Sequence, residues 1–581
     1  MTFRILLAVS CFLVAGGASA QEFRPAPEAA SGTTEKTLVT AKRHMVVAAE
    51  PPAVEAGREI LRQGGSAVDA AIATEMVLGL VEPQSSGLGG GAFITIWDAK
   101  ARSVTTFDGR ETAPAAAKPD RFLTSDGKPM AFENAVLSGL SVGVPGVLRA
   151  LYAAHEKHGK LPWKTLFEPA IKLAENGFAV SPRLAVLLRD DDPQNFALGA
   201  RDYFYEGGTK PRAEGGVLKN PEYAATLRAI ADNGPDAFYS GDIADAIVTS
   251  VQGAKSIHGD MTAADLMGYA AKERPPICVS YRRRQVCGMG PPSSGGLTVG
   301  AVLKLIEPFP QVHGPAAAMT APALHIIAEA EKLAYADRNK YIADPDRIAL
   351  PSGLLDDAYL AERRKLIDPS KAMQKAEAGL PPGLAKKTFG VDATYEVPGT
   401  TQVSIIDDEG NAFAMTATIE SAFGSHLWAK GFLLNNELTD FSFMPVDANG
   451  VAVANAVEGG KRPRSSMAPT IVLGADGTPE IVTGSPGGSQ IILYVVKTLV
   501  AMIDWDLNAQ QASTLTNFGS QGGPFLIESS LPILWPAYEL TSYGQAITGA
   551  TMTSGVNTVA RRGDVLEGGA DPRREGVALG D

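Results

Sequence analysis

Hydrophobic and polar positions alternate with a period of two over residues 400–406 and again over 412–419, with Asp407-Asp408-Glu409-Gly410-Asn411 between the runs. Alternation on both sides of an Asp/Gly/Asn turn predicts a β-hairpin. The same reasoning predicts hairpins from residues 92–97 with 103–107 and from 470–473 with 480–483. Helical periodicity marks residues 56–62 and 67–80, the second capped by Ser66 after Gly64-Gly65. A longer helix is predicted over 322–342, opened by Pro322 and closed by Asp344-Pro345. Residues 490–502 are largely apolar and read as a buried helix. Residues 372–398 are charged, Gly/Pro-bearing and weakly periodic, which reads as an exposed tail leading up to Thr400.

Composition then narrows the class. With 581 residues, 45% hydrophobic and 20% charged, the chain is an ordinary soluble protein, long enough for one large composite domain or several smaller ones. A net charge of −12 argues against nucleic-acid and anionic-membrane partners. Residues 1–20 read as a secretory signal peptide, with Arg4, an apolar run over 5–17 and Ala18-Ser19-Ala20 as the cleavage site. That run is too short to span a bilayer. A periplasmic or secreted protein without a membrane anchor is therefore expected, with a flexible polar leader over residues 21–40. Export permits a Cys278–Cys287 disulfide if a hairpin brings the two together, and spacing alone leaves that open.

The chemistry concentrates at the start of the central hairpin. Gly399 stands directly before Thr400, which opens a strand. That arrangement suits a chain that cuts itself and leaves an N-terminal threonine nucleophile. The Thr400 hydroxyl attacks the Gly399 carbonyl, and the released α-amine, with a reference pKa of about 8, then serves as base to that hydroxyl. Thr-Thr is also simply a good way to begin a strand. The cluster Gly87-Leu88-Gly89-Gly90-Gly91 leads into a strand instead of opening a helix, so it reads as close backbone packing, not a dinucleotide site. Arg110, at a strand end beside that cluster, is either a surface charge or a bidentate carboxylate clamp. Gly139-Leu140-Ser141-Val142-Gly143 matches a nucleophile elbow, but Gly143-Val144-Pro145-Gly146 separates the serine from the next helix. His155 and His158 have helical spacing without a ligand set around them, and no metal is expected. Gly484-Ser485-Pro486-Gly487-Gly488-Ser489, between a strand and a helix, is either a tight turn or an oxyanion hole built from the Gly487 and Gly488 N–H groups.

Taken in order, these pieces resemble the gamma-glutamyltransferase (gamma-glutamyltranspeptidase) family. The resemblance rests on Gly87 to Gly91, Gly109-Arg110-Glu111, the PPSSGG at 291–296 and the Thr400 hairpin, followed by LLNNELTDFS at 433–442, KRPRSSMAPT at 461–470, GSPGGS at 484–489 and Gly569-Ala570-Asp571-Pro572-Arg573. It implies an α+β, four-layer αββα N-terminal-nucleophile hydrolase fold, with two antiparallel sheets flanked by helices. It further implies a precursor cut into a large subunit (41–399) and a small one (400–581), with no cofactor. Thr400 would be the nucleophile, Thr418 its hydrogen-bond partner, and Gly487 and Gly488 the oxyanion hole. Arg110, Ser465 and Ser466 would hold the donor's α-carboxylate, and Glu420, Glu437 and Asp440 its ammonium. The donors would be γ-glutamyl compounds such as glutathione, and the acceptors water, amino acids or peptides.

Two departures qualify the resemblance. Position 420 is Glu where well-known members carry Asn, and the loop over 442–460 is short and lacks an aromatic gatekeeper, leaving the balance of transfer against hydrolysis open. The alternative enzyme is a cephalosporin-type acylase of the same fold that removes a glutaryl-like group. The alternative from another class is an exported binding protein, which has no need of a Gly-Thr junction.

Overall fold

Thr400–Ile406 and Ala412–Thr418 form the central antiparallel pair, in register from Thr400 opposite Thr418 to Ile406 opposite Ala412. The computed structural model describes residues 33–384, 389–394, 396, 399–529 and 534–581. The export signal over 1–20 lies outside the described residues.

The hairpin sits at the centre of a seven-stranded antiparallel sheet. Met45–Ala48 and Val577–Gly580 continue that sheet on one side, and Gly91–Asp98, Ser103–Gly109 and Lys272–Arg274 continue it on the other. A second seven-stranded antiparallel sheet contains Val39–Ala41, Val565–Ala570, Asn557–Arg562, Pro479–Gly484, Thr470–Leu473, Arg284–Gly288 and Ile277–Tyr281, in that order. Alternation along the strands divides the core into layers. Val403, Ile405, Phe413 and Met415 face the helices Pro51–Arg62 and Ala67–Val81. Ile406, Ala412 and Ala414 face the second sheet, meeting Ile471, Val482 and Val559. The far side of that sheet packs on helices Gly295–Ile306, Ala321–Tyr341 and Ile491–Ile503. The result is the four-layer αββα sandwich expected.

Local chemistry explains the elements. Ser66 and Asp69 form a reciprocal capping box at the start of Ala67–Val81, a helix buried on all sides. The glycine cluster packs backbone on backbone: a Cβ on Gly89 would lie 2.0 Å from the Leu433 carbonyl oxygen, and one on Gly90 2.0 Å from that of Thr418. Cys278 and Cys287 face each other across paired strands and form a disulfide. Ser141 is no elbow nucleophile: it lies buried in a 3-10 turn, its hydroxyl donating to the Val136 and Ser138 carbonyls. His155 contacts the Leu161 carbonyl and His158 lies beside Asp98, so the two rings serve separate contacts.

Two expectations from the sequence change. The leader was expected to be flexible to residue 40, but from Thr34 its backbone is docked on the C-terminal segment, and Val39–Ala41 is a sheet strand. The tail before Thr400 is not exposed along its length. Gly390 pairs with Val453, and Asp392 and Glu396 are each only 2% exposed. Composition reports solvation preference, whereas here two acids find buried arginines, described below.

Glu75, inside the all-buried helix, and Glu111, beside Arg110, are each pushed up to about 8 by burial. A carboxyl whose pKa is raised on folding stabilises the protein below its unfolded value, and that stability is lost as pH rises through the folded one. Stability should therefore fall between about pH 4.5 and 8, by up to about 1.4 kcal/mol per pH unit for each group. Glu75→Gln should flatten that slope in urea midpoints measured across the range, and an unchanged slope would mean that Glu75 is ionised in the fold.

Candidate active site

Thr400 is 3% exposed, and its hydroxyl donates to the Thr418 hydroxyl at 3.3 Å. Thr418 in turn donates to the Gly399 carbonyl at 2.5 Å, while the Glu420 N–H donates to Thr418 at 2.8 Å. One threonine thus polarises the carbonyl next to the other's hydroxyl, the arrangement needed for an acyl shift from nitrogen to oxygen. Strand pairing sets it, because Thr400 and Thr418 are cross-strand partners on the same face. Arg574 holds the Thr400 carbonyl from the C-terminal segment at 3.1 Å. Gly399 admits no side chain, since a Cβ there would lie 1.8 Å from the Glu420 carbonyl oxygen. Glu420 itself has φ of 78°, a left-handed conformation rare outside glycine.

Arg110, Thr400, Thr418, Glu420, Glu437, Asp440, Ser465, Ser466 and Gly488 border one cavity of about 10 Å³, room for roughly one water. Gly487 stands next to Gly488, with φ of 141° and 55° respectively, where the strand Pro479–Gly484 turns toward the helix Ile491–Ile503. Asn435 ties the acidic segment to the glycine cluster, with its side-chain amide on the Gly89 and Gly143 carbonyls and its oxygen accepting from the Gly143 N–H. Ser465 is braced by the 291–296 segment through Ser293, which bridges to it, and through the Ser294 N–H and hydroxyl on its carbonyl.

The sequence reading set Arg110 opposite the three acids; the structure joins them. Its guanidinium donates to Glu437, to Asp440 and to the Pro463 and Arg464 carbonyls. Four of its five N–H groups are thereby used, so no bidentate fork remains for an outside carboxylate. Arg110 also offsets one charge of the acidic group before any donor's ammonium arrives. Carboxylate oxygens of Glu420, Glu437 and Asp440 lie within 4.8 Å of one another. Glu437 Oε2 is buried without a hydrogen-bond partner among the described residues, and Asp440 lies within hydrogen-bond reach of the Glu420 carboxyl. Burial pushes Asp440 up to about 6, with Arg110 opposing and Glu396 adding to the rise. Glu420 is pushed well above the usual range by burial and by Asp440.

Sequence reasoning missed three charged residues here. Glu396, on the tail, borders the cavity, and its carboxylate is held by Arg338 and Arg464.

The family model described as Gamma-glutamyltranspeptidase matches residues 53–581. The chain belongs to the gamma-glutamyltranspeptidase family. It is thereby a member of the N-terminal-nucleophile hydrolase superfamily. Among similar relatives, a glutathione hydrolase proenzyme of Escherichia coli (strain K12) is 39% identical over 536 residues, which covers 89% of this chain and 87% of that one. The acylase ACY 1 proenzyme of Pseudomonas sp. (strain SE83) is 33% identical over 570 residues, covering 96% of each. The crystal structure of a cephalosporin acylase from Bacillus halodurans is similar over 98% of this chain and 99% of its own, at 27% identity and a TM-score of 0.81. The three relatives just described thus divide between glutathione hydrolase and acylase.

Proposed function

We propose that this protein is exported by its signal sequence to the periplasm or beyond, cuts itself between Gly399 and Thr400, and then acts as a gamma-glutamyltransferase and glutathione hydrolase. The observation that carries this reading is the Thr400–Thr418–Gly399 chain of hydrogen bonds at the rim of an acid-lined cavity. In the cut, Thr400 Oγ attacks the Gly399 carbonyl carbon, the C–N bond breaks and the nitrogen leaves as an amine. Water then hydrolyses the ester, giving a Gly399 carboxylate and a Thr400 α-amine. In turnover the same hydroxyl attacks the γ-amide of a donor, with the Gly487 and Gly488 amides facing the oxyanion and the α-amine taking the proton. The leaving amine departs protonated, and the acyl ester passes to water or to the amine of an amino acid or peptide. The unpartnered oxygen of Glu437, with the carboxyls of Asp440 and Glu420, receives the donor's ammonium. The serine pair faces its α-carboxylate, with the one remaining Arg110 N–H beside it. After the cut, residues 41–399, preceded by the leader over 21–40, and residues 400–581 form the large and small subunits.

A second reading, a glutaryl-type acylase, is favoured by Arg110, which gives the acids a cation without any donor ammonium. The two readings separate at that ammonium. Burial holds Glu420 toward its neutral form, so Glu437 and Asp440 carry most of the negative charge and Arg110 returns one unit; a γ-glutamyl donor is still favoured and a glutaryl donor brings further negative charge. Loss of a charge-assisted partner to a buried ammonium costs about 2–5 kcal/mol. The wild type should therefore prefer γ-glutamyl-p-nitroanilide over glutaryl-p-nitroanilide by roughly thirtyfold or more in kcat/KM. Asp440→Asn should narrow that gap. Equal use of both donors by the wild type would hand the site to the acylase reading.

A further inference from the structure

The strand Thr400–Ile406 has a strand on both sides only at its far end. Met45–Ala48 pairs with it from Ser404 to Ile406 and then gives way to the helix Pro51–Arg62. Toward Thr400 that edge is completed by side chains from the C-terminal part of the chain. The Asn557 side-chain amide donates to the Gln402 carbonyl at 2.8 Å, and Arg574 Nη1 donates to the Thr400 carbonyl at 3.1 Å. The two carbonyls point the same way because they lie two residues apart on a strand. At the second of them the donor is an arginine, whose charge cannot be titrated away. Arg574 is 2% exposed. Behind it, at the end of the helix Ala67–Val81, the Glu82 carboxylate lies 3.6 Å away and also accepts from Arg183 Nη1 at 2.5 Å. Ser85 accepts from the same Arg183 nitrogen, and its carbonyl takes the Ile419 N–H, one residue past Thr418. Arg574 is thus set by a residue from before Gly399 while it reaches the first residue after it.

We propose that Arg574 is a positioning residue for the N-terminal threonine: it clamps the Thr400 carbonyl, and its fixed charge keeps the α-amine freed by the cut in its neutral, proton-accepting form. This rests on the cut and on Thr400 as nucleophile; it does not depend on which donor is used. Geometry gives the first argument. The α-amine and the clamped carbonyl hang on the same Cα, so the contact that fixes one sets where the other stands relative to Thr400 Oγ. Once the Gly399–Thr400 bond is broken, the strand loses its covalent anchor at that end, and the pairing with Thr418 and the Arg574 contact remain to hold it. Charge gives the second argument. An ordinary α-amine, with a reference pKa of about 8, is mostly protonated at neutral pH and then accepts nothing. A cation a few ångström away disfavours the protonated form. The acids Glu420, Glu437, Asp440 and Glu396, which border the same cavity as Thr400, favour that form, with Arg110 opposing them. Farther back stand Glu82 with Arg183, the hydrogen-bonded carboxyls of Glu50 and Glu575, and Asp571 turned to Arg573. Against these acids, Arg574 is the cation in direct contact with the nucleophile's own main chain.

The test uses the full-length protein and reads the Thr400 α-amine in two ways. Competitive labelling with acetic anhydride, followed by mass analysis of the small fragment's N-terminal peptide, gives the pH midpoint of the amine without any donor. The acid limb of kcat/KM for γ-glutamyl-p-nitroanilide gives the midpoint of the group that acts as base. Arg574→Met should move both upward by about one pH unit, the low end of the usual range, because Glu82 behind the guanidinium offsets part of its charge. Arg574→Lys keeps the charge and should recover most of that shift. Glu82→Gln leaves Arg574 in place and should move both midpoints downward. An unmoved labelling midpoint in Arg574→Met overturns the inference. So does an equal rise in Arg574→Lys, which would make the guanidinium a structural support only. Should Arg574→Met fail to fold or to cut, Glu82→Gln decides, and a midpoint that does not fall overturns the inference. A labelling midpoint that shifts as expected while the acid limb stays put keeps Arg574 in its role and removes the α-amine as base from the proposed function. A wild type that stays uncut overturns the proposed function and this inference with it.

Discussion

Replacing Thr400 by alanine is expected to leave one uncut chain with no measurable turnover of γ-glutamyl-p-nitroanilide. The wild type, after loss of residues 1–20, should run as fragments of roughly 40 and 19 kDa, scaled from 60.8 kDa over 581 residues. N-terminal sequencing of the smaller should read Thr-Thr-Gln-Val-Ser. The effect is large because one hydroxyl serves both reactions, and removing a nucleophile costs about a millionfold in kcat where it has been measured in a related kind of site. Thr418 cannot substitute, since its hydroxyl proton is directed at the Gly399 carbonyl. Thr400→Ser restores the oxygen and should restore both cutting and turnover in part. Two fragments in a Thr400→Ala preparation would refute the nucleophile assignment outright.

The second large effect is expected at Gly399. A Cβ there would sit 1.8 Å from the Glu420 carbonyl oxygen, less than any real contact, and the obstacle is backbone that a side-chain rotation cannot clear. Gly399→Ala must therefore shift the scissile carbonyl away from the Thr418 hydroxyl and from the Thr400 oxygen. Displacements near 1 Å cost on the order of a hundredfold in such reactions. A gel time course should show cutting slowed by about that factor or more, with the fold kept. Cutting at the wild-type rate would mean that the reactive conformation differs from the one described here.

Much of this site was legible because its residues fall in short, contiguous runs. The Thr400 hairpin, the glycine cluster and the turn at Gly487-Gly488 each carry their own local signal: period-two alternation, small residues where backbone meets backbone, and glycines where φ is positive. The charge pairing was not legible. Arg110 was read as facing a ligand because a sequence lists charges without saying which of them meet, and its partners lie more than three hundred positions away. Glu396 was concealed further, since a weakly periodic, charged stretch usually denotes solvated chain. Its partners Arg338 and Arg464 come from a helix on one side and a loop on the other, and no spacing rule joins them.

The order of strands in the two sheets has its own consequence. Met45–Ala48 lies between Val577–Gly580 and Thr400–Ile406, and in the other sheet the strands 470–473, 479–484, 557–562 and 565–570 are flanked by Val39–Ala41 on one side and by strands from 277–288 on the other. Segments from before and after residue 399 are thus shuffled like cards through both sheets. A chain severed there does not fall into halves, because parting them means unzipping every layer at once. Such a scission would instead change the reaction order of folding: an intact precursor folds alone at any dilution, while a severed protein, once unfolded, has to find a second molecule. Its durability then becomes a matter of how slowly it opens, not of how readily it reforms.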